Sequence, residues 1–210
     1  MIGLLLKDLY SLRQYGKTLG FMLVFFAVIS AGLDNPATFF EGFIILMSMM
    51  ITITSFSYDD LAKWNRYALS LPVARKEIVG AKYVLSIVLC LAGTVMSFLI
   101  SSLELQISPV PGFGMKEHLF SLVVIVSIAF FFTGILLPLT FRFGVEKSRL
   151  LMFGVFAAPT AAVIALSKAG IPLPSETSFM AFAKLLPFLM IILYLLSYVL
   201  AVRIFSAKEL

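Results

Sequence analysis

The chain has 210 residues, of which 61% are hydrophobic and only 13% charged, and its net charge is +5. Soluble domains carry roughly 45–50% apolar and about 25% charged residues, and one core of ordinary size cannot hide the surplus apolar surface of a chain with a mean hydropathy of +1.06. Lipid must be the solvent for that surface. A soluble enzyme is excluded, and so is a nucleic-acid partner, because the positive charge lies in segments between apolar runs rather than on one solvated face.

The first element is amphipathic. Ile2, Leu5, Leu6, Leu9 and Leu12 follow helical spacing, with Lys7, Asp8, Ser11 and Gln14 opposite, although Leu4 falls on the polar side and Arg13 near the apolar one. This predicts an interfacial helix over 1–17 that lays Leu5, Leu6, Leu9 and Leu12 into the membrane surface. A plain topogenic flank is the other reading. The first apolar run, 19–33, ends in Asp34-Asn35-Pro36 and has no small-residue cleavage site, so the first span is expected to persist in the mature protein.

A helical span needs about 20 mostly apolar residues. Six segments qualify, at about 18–34, 39–58, 82–103, 119–140, 149–168 and 185–205. The first is short enough to begin within the amphipathic helix before it. Backbone polar groups in lipid must be satisfied within the segment, so the expected fold is an all-α membrane protein, with residues 1–210 forming one transmembrane domain. Thirteen of the sixteen Lys and Arg residues fall on alternate connecting segments; the other three are Lys116, Lys168 and Lys184. Cytoplasmic loops are the basic ones, so both termini are expected in the cytoplasm.

Pro138, Pro159 and Pro187 interrupt spans four to six and predict bends. The small-residue run 157–162 predicts close packing of span five, within the bundle or against a second copy. The segment 172–187 is too apolar for a simple loop. It reads either as a re-entrant helix or as the lead-in to span six. No internal repeat is evident.

Catalytic patterns are weak. Gly16-Lys17-Thr18 lacks the first glycine of a nucleotide-binding loop, since Ser11 stands there. His118 is the single histidine and reads as a loop residue. Cys90 is the single cysteine and excludes an intrachain disulfide. No G-x-S-x-G elbow is present. Asp34, Glu41, Glu104 and Lys168 fall at span boundaries, so ion coupling through a deep carboxylate is not expected. Ser97, Ser101, Thr52 and Thr54 either line a path or bond their own helix carbonyls.

The most distinctive segment is FSYDDLAKWNRYALSLPVARKEIVGAKY, residues 56–83. Ser57 is placed to cap a helix with Asp59 and Asp60 in its first turn. Leu61, Trp64, Ala68 and Leu71 make one stripe, and Pro72 stops the helix. By composition the element is either an interfacial anchor or a docking knob for a soluble partner.

This segment closely resembles the loop between spans two and three of ABC type-2 transporter permeases, and is similar to that of small bacterial exporters of phenol-soluble modulins or antimicrobial peptides. The resemblance implies a coupling helix at 59–71 that fits a groove on an ATPase. Its contact positions would be Asp59, Asp60, Lys63, Trp64, Arg66 and Tyr67, with Arg75 and Lys76 leading back to the membrane. It further implies a bacterial plasma-membrane permease that is not itself an enzyme. ATP and Mg would be bound by two copies of a separate ATPase subunit, and no cofactor by this chain. The expected assembly is a homodimer in the bilayer moving an amphipathic peptide, with Phe21, Phe25, Phe26, Met47, Met49 and Met50 either lining its path or serving as simple packing. The alternatives are an ion-gradient-driven carrier and a non-transporting immunity or sensor module. A membrane-embedded enzyme ranks last, for want of a nucleophile and base.

Overall fold

In the computed structural model the described residues are 2–30, 32, 36–70, 73–107, 114–169 and 176–208. They form eight helices and no strand: α1 (Ile2–Arg13), α2 (Gly16–Ser30), α3 (Pro36–Leu61), α4 (Trp64–Ser70), α5 (Arg75–Ile107), α6 (Met115–Phe143), α7 (Val145–Lys168) and α8 (Glu176–Ser206). Five stretches are long and apolar enough to cross a membrane: Phe39–Leu61, Arg75–Leu103, Met115–Phe143, Val145–Ala165 and Phe182–Ser206. The pair α1 and α2, bent by 62°, passes the same test only when taken together. The all-α membrane architecture expected from hydropathy is therefore present.

The core is built by α3 against α5 and by α6 against α8, with α3 also touching α6 and α5 touching α8. Met49, Ile53, Phe56, Val79, Tyr83, Leu136, Phe141, Tyr194 and Phe205 fill it. Two local features set the spacing. At the α3–α5 crossing, a Cβ on Gly93 would collide with Ser48 Oγ and lie 3.1 Å from Ser48 Cβ, so the missing side chain is what lets these helices approach. In α6, Pro138 has no N–H for the carbonyl of Gly134 one turn earlier. That carbonyl instead accepts from Ser197 Oγ on α8. Ser197 Oγ also lies 2.6 Å from Tyr83 OH on α5, so a proline defect becomes a three-helix polar joint. Neither α6 nor α8 is interrupted at its proline.

Several expectations change. The segment 59–71 is not one helix: α3 runs on through Asp59, Asp60 and Leu61, the chain turns at Ala62-Lys63, and α4 starts at Trp64. Lys63 sits at φ 50°, a left-handed residue that ends α3. Ser57 caps nothing, since its hydroxyl bonds back to Ile53 O within α3. Leu71 and Pro72 lie outside the described residues. The re-entrant helix is replaced by the simpler alternative, because α8 runs unbroken from Glu176; residues 170–175 lie outside the described set. The first turns of span five pack in the bundle through Val145 and Met152, but its small-residue run does not, since Ala157, Ala158, Ala161 and Ala162 are exposed.

The interfacial stripe of α1 is also redistributed. Leu12 is buried and Leu5 half-buried, but Leu6 and Leu9 are exposed. Leu4, assigned to the polar side, packs against the core. Asp8, also on the expected polar face, is 1% exposed. Its burial is explained by its partners.

Candidate functional site

Side-chain contacts define the two ends of the bundle. At one end, Arg75 at the start of α5 donates to the carbonyls of Phe205, Ser206 and Lys208. Arg149 in α7 donates to Ser57 Oγ at 3.0 Å, and Lys208 Nζ reaches Phe141 O. The end of α3, the start of α5, the α6–α7 turn and the end of α8 therefore share a side with α4.

Beneath α4 lies a knot of four charges. Lys82 Nζ on α5 lies 2.9 Å from Asp8 Oδ1 on α1 and 2.6 Å from Asp59 Oδ2 on α3, and donates to Ser55 Oγ at 2.6 Å. Lys7 Nζ lies 3.0 Å from Asp8 Oδ1 and also pairs with Asp59. Asp8, Asp59 and Lys82 are buried. Two cations facing two carboxylates are neutral as a set, and each charge finds an opposite partner. This is the condition under which buried charge is tolerable. The Lys7 ammonium also lies 4.3 Å above the Trp64 ring, within cation–π range. One lysine thus joins α1, the end of α3 and α4.

On α4, Trp64 is half-buried and Tyr67 is 58% exposed, with ring centroids 5.4 Å apart. Ala68 faces the core. Asp60 and Lys63 are exposed beside them. A groove of about 510 Å³ adjoins this surface, lined by Ser57, Asp60, Leu61, Glu146, Lys147 and Arg149 among others.

The sequence-derived coupling positions therefore divide. Asp60, Lys63 and Tyr67 are exposed, with half-buried Trp64 beside them. Asp59 is turned inward into the charge knot, and Arg75 is engaged on the end of α8, so neither is free to meet a partner. Lys76 is exposed. Arg66 lies on α4, with its side chain outside the described set. Lys7, Asp8 and Lys82 were not among the expected site residues. The charge counts that read them as topology markers carry no information about which of them meet.

A second polar cluster sits at the opposite end. Glu41 on α3 and His118 on α6 are both fully buried, with Oε1 and Nδ1 2.7 Å apart. Ser121 donates to the other Glu41 oxygen at 3.1 Å. Ser101 on α5 lies 3.4 Å from His118 Nε2, and Phe98 stacks on the imidazole. His118 is thus a core residue rather than a loop residue, and Glu41 is a buried carboxylate although it stands at a span boundary. Burial comes from the surrounding helices, not from depth in the apolar run. Ser101 also bonds its own helix at Ser97 O, as Thr52 and Thr54 bond theirs. The aromatic and Met residues expected to line one path do not share a surface: Met49 is in the core, while Phe21 and Phe25 face outward. Among the described residues no group of His, Cys, Asp and Glu is arranged to hold a metal.

Comparison with curated proteins and with solved structures gave no match. Against protein families, residues 3–206 match the one described as ABC-2 family transporter protein. That match spans nearly the whole chain and agrees with a multi-pass helical bundle. The chain belongs to the ABC-2 transporter family and is a membrane permease of that class.

Proposed function

We propose that this permease is the membrane half of an ATP-driven exporter of amphipathic peptides, moved by a separate ATPase that grips α4. The observation that carries this reading is the pair of exposed Tyr67 and half-buried Trp64, which stands on a neutral knot of buried charge tying α1, α3 and α5 together. Aromatic residues on a rigid base are what a binding hot spot requires, and the knot gives a push on α4 a stiff path into the bundle. Closure of two ATPase subunits on ATP and Mg would press α4 and the adjoining groove, and the bundle would tip as a body. Two copies of the chain would enclose the path, with the outward faces of α2, α7 and α8 available for the dimer and for lipid. The basic end carrying α4 would face the cytoplasm, with both termini.

Reconstitution of the permease with its ATPase in vesicles tests this. ATP-dependent movement of an amphipathic peptide is expected. Trp64→Ala and Arg66→Ala should abolish movement while leaving the permease assembled. Export at the unchanged rate by both variants would remove α4 from the coupling path. A gradient-driven flux without the ATPase would instead favour a carrier.

A further inference from the structure

The Glu41–His118 cluster plays no part in the coupling proposed for α4, and it has an unusual electrical property. Glu41 comes from α3, Ser97 and Ser101 from α5, and His118 and Ser121 from α6, so three helices converge on it. Glu41, Ser97, Ser101 and His118 are each at most 1% exposed. Glu41 Oε1 and His118 Nδ1 face each other at 2.7 Å without an aligned hydrogen bond, and Ser97 Oγ is buried with no partner. At this site α3 and α6 are thus joined by one directed bond, from Ser121 to Glu41, and by the close approach of two ionisable groups.

Among the described side chains no other charge stands in the cluster; that of Glu104, one turn beyond Ser101 on α5, lies outside the described set. On α6 the adjacent Lys116 and Glu117 are exposed, and Glu117 accepts from the Gly114 amide. On α5 the described neighbours are Ser97, Phe98 and Ser101, which are uncharged. On α3 the flanking Phe40 and Ile44 are apolar core residues. Among the described groups, the pair has only itself to balance its charge. With one proton between them, carboxylate plus imidazolium or carboxylic acid plus imidazole, the pair is neutral. With two protons it holds a buried net +1, and with none a buried net −1. An uncompensated buried charge costs several kcal/mol, and two groups this close titrate as a unit.

We propose that Glu41 and His118 form a proton-binding site that latches the ends of α3, α5 and α6 remote from α4. The latch is closed when the pair carries one proton and released when it carries none or two. The released ends take up water around the charge, which opens that face of the bundle. The site is independent of what the permease carries and of how the ATPase docks.

The test uses the full-length chain in lipid vesicles with the same buffer on both sides. Cys90, which is buried, is replaced by Ala, and spin labels are attached at the exposed positions of Phe39→Cys and Leu119→Cys. Label separation is read by pulsed electron resonance from about pH 4 to about pH 10, which brackets ordinary carboxylate and imidazole titration. The wild-type pair should show a bell-shaped close population that falls on both the acid and the alkaline side. Glu41→Gln leaves only a histidine, which is neutral at high pH, so the alkaline fall should vanish and the acid fall remain. His118→Gln leaves only a carboxyl group, which is neutral at low pH, so the acid fall should vanish and the alkaline fall remain. The double variant should be flat. A flat wild-type profile, or either single variant retaining both limbs, overturns the proposal. If one variant does not assemble, the wild-type profile and the other variant still decide it. A merely structural pair would lower stability in both variants without removing opposite limbs.

Discussion

Lys82 Nζ lies 2.9 Å from Asp8 Oδ1, joining two residues 74 positions apart in the chain. Lys82 is also the one buried cation among the described residues that contacts both carboxylates of the knot, Asp8 and Asp59. Removing it leaves Asp8 and Asp59 facing each other with only Lys7 between them. Breaking a buried pair from one side costs about 3–5 kcal/mol. Lys82→Met should therefore lower the thermal midpoint of the detergent-solubilised protein by many degrees, and adding Asp8→Leu should recover part of the loss. Trp64 is the only tryptophan, so its emission gives a local readout. It should move to longer wavelength in Lys82→Met as α4 loosens.

The close approach of α3 and α5 depends on Gly93. A methyl group there meets Ser48, and overpacking of a filled contact costs about 1–3 kcal/mol. Gly93→Ala should reduce the folded yield and the midpoint by that order. Ser48→Gly in the same chain clears the colliding atoms and should restore much of both. Equal damage in the single and double variants would show that the crossing is not set by this pair.

Arg75 serves as a clamp on α8. Its guanidinium donates to the carbonyls of Phe205 and Ser206 in the last turn of α8 and of Lys208 just beyond it, where helical partners run out. Arg75→Gln should speed hydrogen exchange of amides in the final turn of α8 by about ten-fold, which corresponds to about 1.4 kcal/mol, without altering exchange in α4. If α4 exchange rises instead, Arg75 belongs to the coupling surface after all.

Gly144 joins α6 to α7 at φ 80° and ψ 175°, a conformation essentially reserved for glycine, where a side chain costs about 1–3 kcal/mol. Nothing else crowds the position, so Gly144→Ala isolates the backbone effect. A modest fall in midpoint of that size is expected, with no change in Trp64 emission.

The bundle was legible in the sequence because membrane spans are specified by composition over long windows. The apolar runs around Ile45, Leu89, Val126 and Leu193 each lie in a helix long enough to span. The bent first element was legible only in outline, since Gly16–Ser30 is too short alone and needs α1 to complete it. The site was half legible. Trp64 and Tyr67 stood out because an aromatic cluster in a polar loop is locally unusual. The knot beneath them did not, because Lys7, Asp8, Asp59 and Lys82 are separated by most of two spans, and no periodicity relates residues on different helices. The same holds for Glu41 and His118, whose positions near span ends suggested solvent while tertiary packing enclosed them. The break at Lys63 escaped notice because a non-glycine residue rarely takes positive φ.

The central claim is that an outside motor holds this permease by α4. Tyr67 is exposed on that helix, so a photo-crosslinking amino acid placed at position 67 reads the claim directly in the assembled transporter. The account predicts an adduct with the ATPase subunit whose yield changes when ATP is added. Adducts only with lipid or with this chain itself, in a complex that hydrolyses ATP and exports, would contradict it.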